Sequence, residues 1–384
     1  MKIAYLPGAF FPDPGGAQVQ AHNLANVMND KKYKADVILL NKTNIKNTRY
    51  KINYLNKLII NFVYFFDYYL RINLSFILVF YLKKILNKEK YDVWHFIFIN
   101  YKSLLIIKAL YKLTQNIIVT FQGADIQIDK KINYGNRNDI KYEKLLRSTL
   151  PKVKIFTAIS NNIFVDLVNI GVKKNKIVLL PNGIPLKKFI SIKKKFKNKK
   201  QKKLNLITVA RYAEKKKGFD LVPKIVEELN YLKLNFDWTI IGKDTKKLLL
   251  NKTININKNK FKIFENLFIQ NESFFPAKKL ILNYLKSDIY INLSRIESFG
   301  ITFVEALSAN LPVLTFNTKG ANEIIIDKYN GYIIKGNNIK TFCRKLLSFN
   351  KNKNLFKSKP YNSSLKYDLE KLKKEYIKIY QIDL

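Results

Sequence analysis

The feature that most restricts the fold of this chain is an alternation of short apolar runs with longer mixed segments, and it occurs twice. The first series of strand-length runs lies at 2–6, 35–40, 91–98, 116–121, 154–159 and 177–180. The second lies at 204–210, 237–241, 262–264, 288–293, 312–316 and 331–334. Strands that alternate with helices indicate βαβ units and parallel sheets, so the alternation predicts an α/β protein.

A lysine-rich stretch separates the two series. Between Lys187 and Lys203 there are ten lysines and no acid, a composition typical of a solvated linker. We therefore predict two tandem Rossmann-like, doubly wound domains at 1–187 and 204–364, joined by a basic linker at 188–203. Ligands of such folds bind at the carboxyl ends of the strands, so we expect a cleft between the two domains.

The end of the chain predicts an amphipathic helix. Leu365, Leu369, Leu372, Tyr376 and Ile379 follow one another at spacings of four, three, four and three, which places them on one face of a helix. An apolar face needs a surface to cover. We expect 365–384 to pack back on the N-terminal domain.

The charge of the chain restricts its partners. Lys and Arg number 70 against 28 acids, a net charge of +42, which attracts nucleic acid, anionic lipid or a phosphorylated substrate. An AT-rich genome would also enrich lysine.

The single cysteine, Cys343, excludes an intrachain disulfide framework, and His22 and His95 are too far apart to indicate a zinc cluster. We expect a reducing compartment and no catalytic metal.

The most apolar stretch, 58–82, is interrupted by Asp67 and Arg71, and its longest uncharged run has 11 residues. A spanning helix needs about 20, and no signal-peptide pattern opens the chain. We expect a soluble or peripheral protein. The aromatic and basic residues of 58–86 fit an interfacial helix on anionic lipid, and they fit a helix buried against the sheet equally well.

Two loops contain residues suited to a phosphate. Gly15 and Gly16 follow the first strand at a helix start, where glycine lets a ligand approach the free amides, although Gly-Gly is also an ordinary turn. Arg211 and Lys217 follow the first strand of the second domain. They could neutralise a diphosphate in place of Mg²⁺, although a chain this basic has such residues in many loops.

Two carboxylates lie in the segment 294–306. Glu297 stands in a strand-to-helix loop, and Glu305 stands eight residues later among apolar neighbours in the following helix. Carboxylates accept hydrogen bonds from sugar hydroxyls, and a buried glutamate needs partners that a ribose could supply. The alternative is an amphipathic helix with one polar position.

Together these segments resemble glycosyltransferase family 4, the retaining enzymes of the GT-B fold. The resemblance covers most of the chain and is strongest over 176–334. Further segments match the family in order, at 158–160, 180–184, 311–313, 320–323 and 330–331. The resemblance implies that Arg211 and Lys217 bind the donor diphosphate, that Glu305 holds the nucleotide ribose, and that Glu297 contacts the donor sugar.

The resemblance also implies that backbone amides near Phe299, Gly300 and Ile301 line the phosphate and sugar, with Gly15 and Gly16 in the donor loop. It implies acceptor binding by the first domain and retention through front-face attack, in which the departing phosphate helps to take the acceptor proton.

One segment departs from the family pattern. Members commonly carry His-Gly-x-Asp after the fourth strand, and here Gln122 stands in the histidine position, with Gly123 and Asp125 retained. Glutamine can donate and accept hydrogen bonds but does not titrate. Either this position only orients the sugar, which the retained residues favour, or the enzyme is slow or specialised.

The sequence therefore predicts a retaining, metal-independent hexosyltransferase without a cofactor. Its donor would be a nucleotide-diphosphate sugar and its acceptor a saccharide or a lipid-linked saccharide of bacterial surface polysaccharide or glycolipid synthesis. We expect it in the cytoplasm, free or on the inner face of the plasma membrane.

One alternative is a nucleic-acid-binding protein on a Rossmann-like scaffold, which the charge favours. However, the charge is spread over the whole chain and no nucleic-acid module appears, so no specific nucleic acid is expected. The other alternative is a GT-B nucleotide-sugar epimerase.

Overall fold

The computed structural model describes residues 1–12, 15–197, 202–265 and 272–382. It divides into two compact units. The first comprises Met1–Gly183, Gln270–Phe275 and Leu369–Leu384, and the second comprises Ile184–Ile269 and Pro276–Asp368. Each unit contains a parallel sheet with helices, which confirms the predicted fold class of two doubly wound α/β domains.

The first unit is built on a seven-stranded parallel sheet. Its strands are β1 (Lys2–Pro7), β2 (Lys34–Leu39), β3 (Lys51–Tyr54), β4 (Val93–Ile97), β5 (Ile117–Phe121), β6 (Ile155–Ala158) and β7 (Ile177–Leu179). Their order is β3-β2-β1-β4-β5-β6-β7. The chain therefore reverses its direction of travel across the sheet between β1 and β4, and such a reversal opens a crevice at the carboxyl ends of those strands.

The helices of the first unit include the end of the chain. They are α1 (Gly16–Met28), α2 (Lys57–Phe65), α3 (Ser75–Glu89), α4 (Tyr101–Leu110), α5 (Ile140–Thr149), α6 (Asn161–Asn169) and α15 (Leu369–Tyr380), and a π-helix at Phe66–Leu70 continues α2. The final helix buries Leu369, Leu372 and Tyr376 in the same core as α1. It begins later than its apolar spacing predicted, because Leu365–Tyr367 forms a 3₁₀ turn in the second unit.

A polar network lies inside the core of the first unit. The two ring nitrogens of His95 are 2.7 Å from the Tyr380 hydroxyl and 2.6 Å from the Thr120 hydroxyl. The Tyr380 hydroxyl is also 2.8 Å from that of Tyr5. Burial lowers the pKa of His95 to about 3, so the ring is neutral and serves to join the final helix to the sheet.

The second unit has a six-stranded parallel sheet. Its strands are β8 (Leu204–Val209), β9 (Phe236–Ile241), β10 (Phe261–Phe264), β11 (Ile289–Asn292), β12 (Val313–Phe316) and β13 (Gly331–Ile334), in the order β10-β9-β8-β11-β12-β13. Its helices are α7 (Leu186–Lys195), α8 (Val222–Tyr231), α9 (Lys252–Ile256), α10 (Lys278–Leu285), α11 (Ile301–Ser308), α12 (Lys319–Ile324), α13 (Ile339–Lys351) and α14 (Lys359–Ser364). The reversal here lies between β8 and β11.

The predicted basic linker at 188–203 is wrong over its first half. Residues up to Lys195 form α7, which buries Leu186, Phe189 and Ile192 in the second unit. These three residues recur at every third position, so they form one apolar face while the lysines occupy the rest of the helix surface. Residues 198–201 of the predicted linker lie outside the described residues. None of the described helices has the length and apolar character needed to span a bilayer.

Candidate active site

The loops after β8 and β11 lie side by side at the reversal of the second sheet. Because these strands are parallel neighbours, their carboxyl ends meet at one edge, where ligands of doubly wound sheets bind. The first loop contains Arg211 and Lys217, and the second contains Glu297. Three residues predicted from the sequence are therefore placed at the crevice that the topology creates.

Lys217 and Glu297 form an ion pair. The Lys217 Nζ lies 2.6 Å from Glu297 Oε1, and the side chains are 17% and 12% exposed. The Ser294 hydroxyl is 3.5 Å from the same oxygen. Arg211, on the loop that precedes Lys217, is exposed. The pair is sheltered enough for its attraction to exceed that of a surface salt bridge, and the guanidinium of Arg211 is accessible to a ligand.

Arg295 joins the two loops, a role that the sequence reasoning missed. Its guanidinium donates two hydrogen bonds of 2.7 Å to the two oxygens of Asp220, and one of 2.5 Å to the Lys215 carbonyl. Its backbone N–H donates to the Lys216 carbonyl at 3.0 Å. A bidentate arginine–carboxylate pair fixes orientation as well as distance. Arg295 therefore holds the loop that carries Lys217 against the loop that carries Glu297.

Two glycines with positive φ shape these loops, and the first of them allows the close approach. Gly218 has φ +68°, and a Cβ there would lie 2.1 Å from the Leu293 carbonyl oxygen, so no other residue fits without moving a backbone. Gly300 has φ +86° and precedes α11, whose N-terminus no described side chain caps. The neighbouring Phe299 and Ile301 are buried. The helix start predicted to line a phosphate is thus present, with backbone N–H groups at its first turn.

Glu305 is buried inside the second unit, as its apolar neighbours predicted. It is 4% exposed, and its Oε2 accepts a hydrogen bond of 2.8 Å from the Tyr284 hydroxyl. Burial raises the pKa of Glu305 to about 7, against the hydrogen bond from Tyr284, which lowers it. The carboxyl group is therefore held close to the point at which it changes protonation state at neutral pH.

Lys216 adds a further cation to this edge. Burial lowers its pKa to about 8, and the nearby charges of Lys217 and Arg211 act in the same direction. Three positive groups therefore lie within electrostatic reach of one another, and such a cluster is stabilised by a bound anion. The sequence contained the signal, since all three fall in 210–218, but it did not single out Lys216.

The other four predicted residues belong to the first unit. Gly15 is the N-cap of α1 in an extended conformation, and Gly16 is the first residue of that helix. A Cβ on Gly15 would lie 2.5 Å from Gln18 Oε1. The glycines thus stand at a helix start, as predicted.

Gln122 and Asp125 make contacts that the sequence did not reveal. The Gln122 amide pairs with the Asn182 amide in both directions, at 3.1 and 2.8 Å. Asp125 is fully buried and accepts backbone N–H bonds from Gln122, Gly123 and Ile99 at 2.8–3.2 Å. Asp125 therefore shapes the loop itself, and Gln122 is held in place by Asn182.

The reversal of the first sheet opens a cavity of about 390 Å³. Its wall includes Gly8 after β1, Asn41 and Lys42 after β2, and Asn100 and Lys102 at the start of α4. The Asn100 amide donates to the Gly8 carbonyl at 2.7 Å. Amide and carbonyl groups with few charges suit a neutral, hydroxyl-rich ligand.

The described residues contain no group of three His, Cys, Asp or Glu side chains placed to hold a metal ion. An anion bound at the edge of the second sheet would meet the cationic side chains of Arg211, Lys216 and Lys217.

Comparison with known proteins matches both units to glycosyltransferases. The family model described as "Glycosyltransferase Family 4" matches residues 14–188, and the one described as "Glycosyl transferases group 1" matches residues 190–363. Together the two models span most of the chain.

Individual relatives agree. A 41.2 kDa protein of the cps region of Klebsiella pneumoniae is 26% identical over 262 residues, 65% of this chain and 67% of that protein. The alpha-monoglucosyldiacylglycerol synthase of Acholeplasma laidlawii is 28% identical over 173 residues, 42% of this chain and 41% of that enzyme. The structure of Anabaena HepE in complex with UDP and glucose has the same fold, with a TM-score of 0.70 at 13% identity over 99% of both chains.

Proposed function

The chain belongs to glycosyltransferase family 4, and from this premise we propose that it transfers a hexose from a UDP-sugar to a saccharide acceptor with retention of configuration. The ion pair between Lys217 and Glu297 at the edge of the second sheet carries the proposal. A sugar diphosphate bound at this edge would use both the cation and the carboxylate. The choice of UDP is supported by its presence in the related HepE structure.

The cations of the second unit would stabilise the leaving diphosphate. The Lys217 ammonium has three N–H donors, so it can keep Glu297 and still donate to a phosphate oxygen. The exposed Arg211 fork would bind a second oxygen. Positive groups held in place before the reaction stabilise the charge that develops as the glycosidic bond breaks. We propose that they replace a metal ion in this role.

The two carboxylates would position the donor. We propose that Glu297 accepts hydrogen bonds from the sugar hydroxyls while Lys217 fixes its orientation, and that Glu305 accepts from the nucleotide ribose. Glu305 accepts a bond from Tyr284, and a carboxylate has about four acceptor sites, so ribose hydroxyls can add to this partner. The amides at the start of α11, near Phe299, Gly300 and Ile301, would complete the phosphate site.

In the first unit, the cavity of about 390 Å³ would receive the acceptor. The reaction would proceed by front-face attack, and the departing phosphate would accept the proton of the acceptor hydroxyl. Because Gln122 is paired with Asn182 in both directions, we propose that it orients its surroundings rather than transferring a proton. Gly15 and Gly16 would approach the donor at the start of α1.

The cps-region relative supports a role in the synthesis of a surface polysaccharide such as capsule or lipopolysaccharide, and the diacylglycerol-glycosylating relative supports a glycolipid acceptor. We propose a cytoplasmic enzyme that works at the inner face of the plasma membrane.

The first test is the thermal stabilisation of the purified protein by UDP, GDP and ADP and by their common sugar conjugates, in EDTA. A ligand at 100 times its dissociation constant adds about 2.7 kcal/mol to the free energy of unfolding. We expect UDP and a UDP-sugar to stabilise the protein, and we expect Lys217→Gln to reduce the shift while Lys215→Gln, on the exposed part of the same loop, keeps it.

The same experiment, with a nucleic-acid binding assay and an epimerisation assay, addresses the rival functions. A shift that appears only when Mn²⁺ or Mg²⁺ is added would contradict metal-independent donor binding. No nucleotide shift, combined with sequence-dependent binding of a nucleic acid at physiological salt, would favour the nucleic-acid alternative. Conversion of the free UDP-sugar to its epimer would favour the epimerase.

A further inference from the structure

The first unit exposes large apolar side chains on the consecutive elements α2, the π-helix and α3, which we together call the aromatic face. It consists of Leu58, Phe62, Phe65, Tyr69, Phe76 and Phe80, which are 79%, 49%, 48%, 57%, 63% and 81% exposed. The first four follow one another at spacings of four, three and four, and the last two at a spacing of four, so each group forms one stripe. Exposed patches of this kind mark interaction sites.

Packing on the opposite side holds this face outward. Ile60 and Val63 of α2 and Leu78 and Leu82 of α3 are at most 1% exposed. Two hydrogen bonds add to the packing. The Tyr68 hydroxyl donates to Asp139, just before α5, at 2.8 Å, and the hydroxyl of Tyr101, on α4, donates to Asp67 at 2.6 Å. The apolar side chains are therefore exposed on helices whose other faces are already buried.

The surroundings of the aromatic face are basic. The exposed cations on these elements are Lys57, Lys83, Lys84 and Lys88, and the exposed Arg71 follows the π-helix directly. The two acids between residues 57 and 90 already have partners, since Asp67 accepts from Tyr101 and Glu89 pairs with Lys2 at 2.7 Å. The surface therefore suits a partner that is apolar inside and negatively charged at its boundary.

The aromatic face also adjoins the proposed acceptor cavity. An open, mostly apolar groove of about 830 Å³ runs along it and is lined by Leu58, Phe62 and Phe65 among others. Tyr64 and Lys102 line both this groove and the cavity of about 390 Å³ at the reversal of the first sheet. The Lys102 ammonium lies 5.0 Å from the Tyr64 ring centroid and donates to Asn61 at 2.6 Å. An apolar groove and a polar cavity thus share one wall.

We propose that the aromatic face docks on the surface of an anionic lipid bilayer, with its apolar side chains among the acyl chains and the lysines at the headgroups. Helices with this division of residues lie in the plane of the interface, and binding combines buried apolar area with attraction to anionic lipid. Docking brings the cavity to the bilayer surface, where it meets the head group of a lipid-borne acceptor. Only this last clause rests on the proposed glycosyltransferase function.

The apolar part is tested by co-sedimentation with vesicles of phosphatidylcholine alone and with about one third phosphatidylglycerol, at physiological salt. We expect binding to the anionic vesicles only, weakened at least about tenfold in Leu58→Ser/Phe80→Ser. The matched control is Tyr231→Ser/Leu250→Ser, because those side chains are 81% and 87% exposed in the second unit. Equal binding by the two double variants would overturn the proposal.

The charged part is tested by Lys83→Gln/Lys84→Gln, with the exposed pair Lys173→Gln/Lys174→Gln as control. A lysine close to an anionic surface contributes about 1 kcal/mol, so removing two should weaken binding about tenfold or more, and the control should change it much less. Equal losses in both variants would mean that the net charge of the protein, rather than this face, binds the vesicles.

Insertion is tested with an environment-sensitive fluorophore on Phe80→Cys, compared with the same label on Tyr231→Cys. The single native cysteine, Cys343, is buried, so the introduced thiol is labelled selectively in the folded protein. A blue-shifted, brighter emission at position 80 alone on adding anionic vesicles supports docking. The same change without vesicles as protein concentration rises would show that a second copy covers the face, and would overturn the proposal.

UDP stabilisation of each variant separates the two proposals. A variant that loses vesicle binding but keeps its stabilisation by UDP is altered only in the membrane-binding surface. A variant that loses its stabilisation by UDP but keeps vesicle binding is altered only in the donor site.

Discussion

The carboxyl edges of the two sheets have the same topology and different chemistry. Each edge lies at a reversal of strand order, between β1 and β4 in the first unit and between β8 and β11 in the second. The second edge concentrates charge, with Arg211, Lys216, Lys217 and Glu297. The first is lined largely by amide, hydroxyl and apolar groups. The fold supplies a crevice at both edges, and the difference between their side chains is the reason for proposing a diphosphate at one and a neutral saccharide at the other.

Removing the charge of Lys217 should have the largest effect. It tests most directly whether the carboxyl edges of the two sheets differ in their chemistry. We expect Lys217→Gln to lower turnover by about 10²-fold, the usual loss on removing one transition-state donor. The matched variant at the other edge is Lys102→Gln, which should leave UDP binding unchanged because Lys102 lines the cavity of the first unit. The measurements are steady-state kinetics with the donor found by thermal shift and nucleotide titration.

Because Lys217 is paired with Glu297, the loss of turnover in Lys217→Gln has two possible causes that must be separated. Lys217→Gln also leaves a carboxylate that is only 12% exposed without its cation. The double variant Lys217→Gln/Glu297→Gln removes that uncompensated charge. If the double variant regains normal turnover, the single loss came from the stranded carboxylate, and Lys217 does not act on the diphosphate.

The buried carboxylates of the two units should lose stability to different extents on amide substitution. Glu305 accepts from one hydroxyl, that of Tyr284, whereas Asp125 accepts three backbone N–H groups. Asp125→Asn should therefore lower the free energy of unfolding by about 2 kcal/mol or more, because one amide oxygen cannot satisfy all three donors. Glu305→Gln keeps an acceptor for Tyr284 and should cost much less at neutral pH.

The pH dependence of stability has a source in each unit, because burial raises the pKa of Asp125 as well as that of Glu305 to about 7. Because the pKa of Glu305 is raised to about 7 in the folded protein, its contribution to stability is fully present below its unfolded pKa and is lost as pH rises through about 7. Glu305→Gln should remove the part of the decline that belongs to Glu305, about 1–3 kcal/mol between pH 5 and pH 8, leave the part that belongs to Asp125, and weaken UDP binding about tenfold. Chemical denaturation at both pH values measures it. An unchanged decline, or unchanged UDP affinity, would contradict the role of Glu305.

The two edges also differ in how far the sequence revealed them. All twelve predicted strand segments contain a strand, because buried parallel strands form continuous apolar runs. The strand it missed, β3, has four residues at the sheet edge. In the second unit the predicted Arg211, Lys217 and Glu297 do come together at one edge. Their functional roles stay predictions.

The remaining features depend on pairing between distant segments. Arg295 lies 75 residues from Asp220, and Gln122 lies 60 residues from Asn182. No local pattern reports such a partner, since the pairing appears only when the folded sheet brings the loops of separate strands together. The wrong linker has a different cause. The ten lysines of 187–203 obscured an apolar stripe of three residues in α7, so composition outweighed periodicity.

The smallest expected effect concerns Lys216. It tests whether the positive charge of the second edge changes with pH near neutrality. Burial lowers the pKa of Lys216 to about 8, so the side chain loses its charge in the free protein as pH rises through that value. A bound diphosphate favours the charged form. UDP affinity should therefore fall about three- to fivefold between about pH 7 and pH 9, the effect of one partly screened ion pair.

Lys216→Arg provides the control, because a guanidinium stays charged over this range. Its UDP affinity should be nearly constant where that of the natural protein declines, and isothermal titration at several pH values measures both. Proton uptake on binding above pH 8, read from the dependence of the heat on buffer ionisation, should appear in the natural protein and vanish in Lys216→Arg. An identical decline in the two proteins would assign it to a different group and leave Arg211 and Lys217 as the cations of the proposed diphosphate site.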